Sequence, residues 1–258
     1  MAMENSRSVS SPGADLEKAN LVEKVDEEEL LLDPESTVYR RASARLNYMS
    51  ADRPDLSYAS KECSRGMANP TRGDVIRLKR VLRYLKGAPR LVTIFAWQHP
   101  DSKLWTYSDS DWAGCSKTRK STSGGVIMRG KHLLSHWSST QSTVALSSAE
   151  AELNALVKAA SETLGLLNML KEMGKDFEVS IMTDSSAAKG IVSRVGCGKV
   201  KHLEARQLWI QEAVRRKVLE VKKVGREVNI ADALTHHWSS VDGFKHFTKA
   251  GLAWRQRT

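Results

Sequence analysis

The order of helix-like and strand-like segments constrains the fold of this 258-residue chain more than any other feature. Residues 38–87 have a helical pattern that ends at Gly87, just before a Pro. The pattern then changes to short strands separated by Pro, Asp, Ser and Gly clusters, at 91–97, 104–110, 124–130 and 132–138. A long helix follows, and after it come a strand, two helices, a second strand and a terminal helical region. Successive strands followed by alternating helices and strands predict an α/β fold with one mixed sheet.

Composition divides the chain into three predicted parts. Residues 1–36 are Ser-rich at first and then acidic, which is typical of a disordered acidic arm. Residues 37–90 are the helical part, and residues 91–258 are the α/β domain. The length is sufficient for a sizeable core in the α/β domain.

Charge is distributed unevenly along the chain. The net charge is +10, but residues 1–38 hold three basic and ten acidic residues, whereas the remainder holds 37 basic and 20 acidic residues. A strongly basic body is typical of a protein that binds a polyanion, although the same charge also serves solubility alone. The predicted helix before Gly87 carries Arg80, Arg83 and Lys86, which are candidates for contacting phosphates.

Cysteine and histidine usage argues against a structural metal or a disulfide framework. Cys63, Cys115 and Cys197 lie far apart and form no C-x-x-C pair. His236 and His237 are adjacent, but no third ligand is spaced to complete a zinc site.

No apolar run reaches the ~18–20 residues of a membrane span, and the N-terminal end has no apolar signal core. We therefore expect an intracellular protein, cytoplasmic or nuclear, that is not secreted.

Four carboxylates stand at positions that solvation alone explains poorly. Asp109 and Asp184 each end a predicted strand, Glu152 lies in the first turns of the long helix, and Asp232 lies at an apolar-flanked helix start. Asp184 could instead cap the following helix, and Asp232 could serve a helix N-terminus. Together the four would form an all-oxygen site, which is the ligand chemistry that Mg²⁺ or Mn²⁺ selects. Two such ions ~4 Å apart can activate a water and stabilise the leaving oxygen in phosphodiester hydrolysis.

The long helix offers two glutamates near its start. Ser147 and Glu150 match a capping box, in which Glu150 folds back to the first amide of the helix. This structural role leaves Glu152 as the candidate for the site.

Six motifs follow one another along the α/β part, and two more precede them. The six are SDSDWAG (108–114), RKSTSG (119–124), SSAEAELNAL (147–156), TDSSAA (183–188), VKHLEAR (200–206) and NIADALT (229–235). The earlier two are RPDLSYA (53–59) and RVLRYLKG (80–87). In this order the six motifs resemble the ribonuclease H domain of Copia-type retrotransposon Pol polyproteins. The earlier pair resembles the thumb or connection segment that follows the reverse-transcriptase palm in those polyproteins.

The resemblance implies an RNase H-like fold, a five-stranded mixed sheet with flanking helices, that cuts the RNA strand of an RNA–DNA hybrid. Its four acids fall by motif on Asp109, Glu152, Asp184 and Asp232, which would hold two Mg²⁺ (or Mn²⁺) ions. The candidates for binding the nucleic acid are Arg80, Arg83, Lys86, Lys120, Ser121, Lys201, His202 and Arg206.

Departures from the family pattern leave an alternative open. The chain has no Tyr-x-Asp-Asp motif, which indicates that the polymerase palm is missing. Polymerisation is therefore not expected. A separate reverse-transcriptase polymerase is a candidate partner. Cys115 stands where the family has an acidic residue, and His236 where a Lys-Pro pair follows. The alternative is a catalytically inactive, nucleic-acid-binding relic. An integrase-type recombinase is set aside, because its acids run Asp, Asp, Glu, whereas the Glu is second here.

Overall fold

A computed structural model describes residues 6–13, 28–197 and 205–254 of the chain. These residues belong to two compact units. The first, the helical unit, contains the described residues of 1–93, 237–248 and 252–258; the second, the α/β unit, contains 94–236 and 249–251. Within the described residues, no helix combines the length and apolarity needed to cross a membrane.

Four helices and a short strand pair make up most of the helical unit. They are α1 (Glu35–Ser50), α2 (Ser57–Arg65), α3 (Arg72–Gly87), β1 (Leu91–Thr93), α7 (Ser240–Lys249) and β7 (Leu252–Trp254). A capping box at Thr71 and Asp74 starts α3, because each residue bonds the backbone N–H of the other. Leu78, Val81 and Tyr84 form the buried face of this helix.

A buried ion pair fixes the segment between α1 and α2. Arg53 donates to both carboxylate oxygens of Asp55, at 2.9 and 2.8 Å, and Tyr84 of α3 donates to Asp55 Oδ2 at 2.7 Å. Arg53 also donates to the carbonyl of Ala88 at 3.0 Å. Each polar atom of the pair therefore has a partner, as burial of a charge requires.

The sequence-based domain boundaries differ from this division at both ends. Residues 28–36, predicted within a disordered arm, pair with the start of α3: the Leu31 N–H donates to the Pro70 carbonyl at 2.8 Å, and Leu31 is buried. Residues 91–258, predicted as one α/β domain, contribute β1, β7 and most of α7 to the helical unit. The antiparallel pairing of β1 with β7 explains this difference, because it brings the C-terminal segment to the end of the helical part.

The α/β unit contains one five-stranded mixed sheet in the order β4-β3-β2-β5-β6. Its elements are β2 (Lys103–Ser110), β3 (Thr122–Arg129), β4 (His132–Thr140), α4 (Ser148–Glu172), β5 (Glu178–Thr183), α5 (Ser186–Val192), α6 (Ala205–Arg215) and β6 (Glu220–Lys223). Strands β2, β3 and β4 form an antiparallel meander, and β5 and β6 run parallel to β2. The predicted α/β class, a five-stranded mixed sheet with flanking helices, is confirmed.

The central helix α4 packs on the sheet through small and branched apolar residues. Leu153, Leu156, Ala160 and Leu167 are buried with Ile181 of β5 in one cluster. Their three- and four-residue spacing places one apolar stripe along the helix, so the polar face is left outside. This packing sets the start of α4 beside the end of β2.

One predicted strand is shorter than the sequence indicates. A strand is expected over 91–97, but only Leu91–Thr93 form one, and it pairs with β7. After it, Gln98 bonds the tip of the β3–β4 hairpin: its Nε2 donates to the Arg129 carbonyl at 2.9 Å, and its Oε1 accepts from Lys131 N–H at 2.8 Å. The Ile94 N–H donates to the Gly251 carbonyl at 2.8 Å, and residues 95–99 form no strand.

Candidate active site

Asp109 lies near the end of the central strand β2 and is 5% exposed. It pairs in register with Gly124 of β3. The pKa of Asp109 is raised to about 7, mainly by burial; the charges of Asp232 and Asp184 add to the rise, and the hydrogen bond from Thr235 opposes it. The central strand therefore presents a carboxyl group whose ionisation is costly without a compensating cation.

Glu152 lies in the second turn of α4 and points toward the same strand end. Its Oε1 accepts a hydrogen bond of 3.3 Å from the Ser110 N–H. Its Oε2 is buried and has no hydrogen-bond partner among the described residues. Burial raises the pKa of Glu152 to about 8, with smaller contributions from the charges of Asp109 and Asp184. A buried oxygen without a partner is a group that a bound cation would satisfy.

Asp184 directly follows β5, the strand parallel to β2. Ser185, not Asp184, caps α5, because the Ser185 hydroxyl accepts from the Ala188 N–H at 3.1 Å. The capping alternative for Asp184 is therefore not what the structure shows. Burial raises the pKa of Asp184, while Arg226 opposes that rise.

The structure brings Asp109, Glu152 and Asp184 together. One carboxylate oxygen from each lies within 4.8 Å of the others. Adjacent parallel strands end at the same edge of the sheet, and α4 starts at that edge, so the fold itself causes this convergence. The three residues offer only oxygen ligands, which a hard divalent cation such as Mg²⁺ prefers. Such a cation would also offset the repulsion among the three carboxylates and give Glu152 Oε2 a partner.

Asp232 lies beside this group of three rather than in it. Its Oδ1 lies 3.4 Å from Arg226 Nε, and its Oδ2 lies 3.7 Å from His236 Nε2. It is still close enough for its charge to raise the pKa of both Asp109 and Asp184. The residue begins a 3₁₀ turn, Asp232–Leu234, and not the helix that the sequence predicts.

The two glutamates near the start of α4, Glu150 and Glu152, differ in surroundings, as the capping pattern predicts. The Glu150 N–H donates to the Ser147 hydroxyl at 3.2 Å, and Glu150 Oε2 accepts from the Leu146 N–H at 2.8 Å. The carboxylate thus reaches one residue further back than the expected first amide of the helix. Glu150 stabilises the helix start, and Glu152 joins the carboxylate cluster.

The predicted phosphate contacts on α3 are engaged within the helical unit. Arg83 Nε donates to the Arg7 carbonyl at 2.7 Å, Lys86 Nζ to the Ser6 carbonyl at 3.0 Å, and Arg80 Nη2 to the Ser11 hydroxyl at 3.2 Å. A nucleic acid on this face would have to replace these contacts with residues 6–13.

The other predicted nucleic-acid contacts belong to the α/β unit, and the structure describes only some of their side chains. Ser121 is fully buried, and its hydroxyl accepts from the Ala113 N–H at 2.9 Å, so it holds the 111–121 loop and does not face a ligand. This corrects its assignment as a nucleic-acid contact. Lys120 is partly exposed beside it. Lys201 and His202 lie outside the described residues, as does the side chain of Arg206.

Thr235 is a site residue that sequence reasoning missed. Its hydroxyl donates to Asp109 Oδ2 at 2.5 Å, and both residues are buried. The only sequence signal was its place three residues after Asp232, and no periodicity indicates that this hydroxyl reaches a strand 126 positions earlier.

Comparisons with known proteins place relatives of this chain in one family. No protein-family model matches the chain. The retrovirus-related Pol polyprotein from transposon RE2 of Arabidopsis thaliana is 34% identical over 219 residues, which is 84% of this chain and 15% of that protein. The corresponding polyprotein from transposon TNT 1-94 of Nicotiana tabacum is 33% identical over 200 residues, 76% of this chain and 15% of that one.

The chain belongs to the retrovirus-related Pol polyproteins of Copia-type transposons. It spans about 15% of the length of these relatives. Among solved structures, LC11-RNase H1 in complex with an RNA/DNA hybrid is 22% identical and covers 52% of this chain and 94% of that one, with a TM-score of 0.37.

Proposed function

We propose that this Pol-family chain is a divalent-metal-dependent endonuclease that hydrolyses the RNA strand of RNA–DNA hybrids. The convergence of Asp109, Glu152 and Asp184, with Glu152 Oε2 unpartnered, is the observation that carries the proposal. Membership of the family supports the same activity, since the motifs that resemble a ribonuclease H domain contain these three residues.

Each carboxylate has a separate task in this proposal. Asp109 and Asp184 would hold cations from two neighbouring strand ends, and Glu152 would complete the site from α4. Two Mg²⁺ or Mn²⁺ ions, when bound, would polarise the attacking water and stabilise the departing ribose oxygen. Asp232, on the rim with Arg226, would add negative charge that favours cation binding. Its Oδ1 lies 3.4 Å from Arg226 Nε.

Basic residues around the sheet would hold the hybrid. Phosphate contacts supply affinity without sequence preference, and contacts to 2′-hydroxyls distinguish the RNA strand from DNA. Lys120 is the described candidate in the α/β unit, and Arg80, Arg83 and Lys86 are the candidates in the helical unit. A reverse-transcriptase polymerase is the proposed partner that would supply the hybrid.

Cleavage of a labelled RNA–DNA hybrid by the full chain tests the proposal. We expect cutting in Mg²⁺, none in EDTA, and none with Asp184→Asn, which should retain hybrid binding. Asp176→Asn is the matched control, because Asp176 is an exposed carboxylate, paired with Lys171, outside the cluster. Hybrid binding without cutting, in either Mg²⁺ or Mn²⁺, would refute the nuclease and favour the inactive, nucleic-acid-binding relic.

A further inference from the structure

A buried hydroxyl contacts the carboxylate cluster without being one of its acids. Thr235 is 1% exposed, and its Oγ1 lies 2.5 Å from Asp109 Oδ2. The same oxygen lies 3.0 Å from the carbonyl of Asp232. One side chain thus links the central strand β2 with the turn that carries the fourth acid.

The turn that carries Thr235 is held against the neighbouring strands. A Cβ at Gly124 would lie 2.8 Å from Thr235 Cγ2 and 3.0 Å from the Ala231 carbonyl, so only glycine permits this approach. Ser138 of β4 donates to the Leu234 carbonyl at 2.6 Å. The backbone around Thr235 is therefore fixed by contacts that do not involve a carboxylate, and the hydroxyl has a defined position.

A hydrogen bond to one oxygen of a carboxylate fixes the plane of the group. In Asp109 the bond engages Oδ2 and leaves Oδ1 without this contact. It also favours the ionised form, in opposition to burial and to the neighbouring acids. Residues that orient a metal ligand in this way commonly change metal affinity or activity by about 10–100-fold when they are removed.

We propose that Thr235 is a positioning residue, whose hydroxyl orients Asp109 for cation binding and ties it to the Asp232 turn. The inference rests on the proposed metal-dependent function of the same site. It assigns a role to a residue that is neither an acid nor exposed.

Thr235→Val in the full chain removes the hydroxyl at nearly constant volume, and Thr235→Ser retains it. Ser138→Ala is the matched control, because it removes a hydroxyl bond to the same turn without touching a carboxylate. Mn²⁺ affinity is measured by calorimetry, and kcat and KM are measured on the hybrid. Should Thr235→Val not fold, Thr235→Ala compared with Thr235→Ser makes the same test.

We expect Thr235→Val to weaken Mn²⁺ binding by about tenfold or more and to lower kcat, with the KM for the hybrid nearly unchanged. Thr235→Ser and Ser138→Ala should bind Mn²⁺ like the wild type. Wild-type Mn²⁺ affinity in Thr235→Val, or an equal loss in Ser138→Ala, would overturn the positioning role. A wild type that binds Mn²⁺ more tightly than Thr235→Val but never cuts would instead refute the nuclease alone.

Discussion

Glu152→Gln should stabilise the metal-free protein while it abolishes cleavage. The carboxyl of Glu152 is buried beside two other acids, and its pKa rises from an ordinary 4.5 to about 8. Because the folded state binds this proton more tightly than the unfolded state, stability falls as the pH rises from about 4.5 to about 8. A glutamine carries no charge and escapes this cost.

The raised pKa of Glu152 sets the size of the expected change in the free energy of unfolding. One pKa unit corresponds to ~1.4 kcal/mol, so the upper limit for this rise is about 5 kcal/mol. Local relaxation and water entry reduce the cost of ionisation, and we expect Glu152→Gln to raise the free energy of unfolding by about 2 kcal/mol at about pH 8. At about pH 4.5 the gain should nearly vanish, since the folded carboxyl is then already protonated.

Urea unfolding in EDTA at these two pH values measures the effect. Glu150→Gln is the matched control two residues away: it loses a charge-assisted bond from the Leu146 N–H, so it should destabilise by about 0.5–1 kcal/mol and leave cleavage intact. Mg²⁺ should stabilise the wild type and not Glu152→Gln. A destabilised Glu152→Gln, or a gain that is the same at both pH values, would refute the account of the cluster.

Three further predictions concern other parts of the molecule. Asp232→Asn should lower kcat by a smaller factor than Asp184→Asn, because Asp232 lies outside the group of three; an equal or larger loss in steady-state cleavage would place it among the principal ligands. Asp55→Ala should destabilise the helical unit by about 3–5 kcal/mol in urea unfolding, since it leaves buried Arg53 without its counter-charge, and a loss below about 1 kcal/mol would contradict this. Joint replacement of Arg80, Arg83 and Lys86 by Ala should weaken hybrid binding and reduce the slope of log K against log salt by up to about 3, whereas an unchanged slope would remove α3 from the interface.

Sequence patterns predicted the parts of the fold in which periodicity and burial coincide. The stripe of Leu153, Leu156 and Ala160 requires a helix packed on one face, and β2 to β5 alternate or run apolar as buried strands do. The expected strand over 91–97 was wrong in most of its length, because an apolar run does not specify its partner. The strand ends at Thr93, and Gln98 beyond it is held by side-chain hydrogen bonds to Arg129 and Lys131.

The site was predictable as far as chain order determines geometry. Asp109 and Asp184 end parallel neighbours, and the capping pattern at Glu150 left Glu152 for the cluster. The turn at Asp232 and the hydroxyl of Thr235 were not predictable, since they depend on a contact between segments far apart in sequence. Ser121 was misassigned for a similar reason: its motif indicates a loop, but burial under that loop is a tertiary property.

Identifying the chemical groups at the ends of the cleaved RNA is the most direct test of cation-dependent hydrolysis by this chain. The full chain is incubated with a hybrid that carries separate labels on its RNA and DNA strands, in Mg²⁺, and the products are analysed by mass spectrometry. Attack by water with departure of the ribose 3′ oxygen predicts RNA fragments with 3′-hydroxyl and 5′-phosphate ends and an intact DNA strand. Fragments that end in 2′,3′-cyclic phosphate, or cutting that persists in EDTA, would contradict cation-dependent hydrolysis at the cluster of Asp109, Glu152 and Asp184.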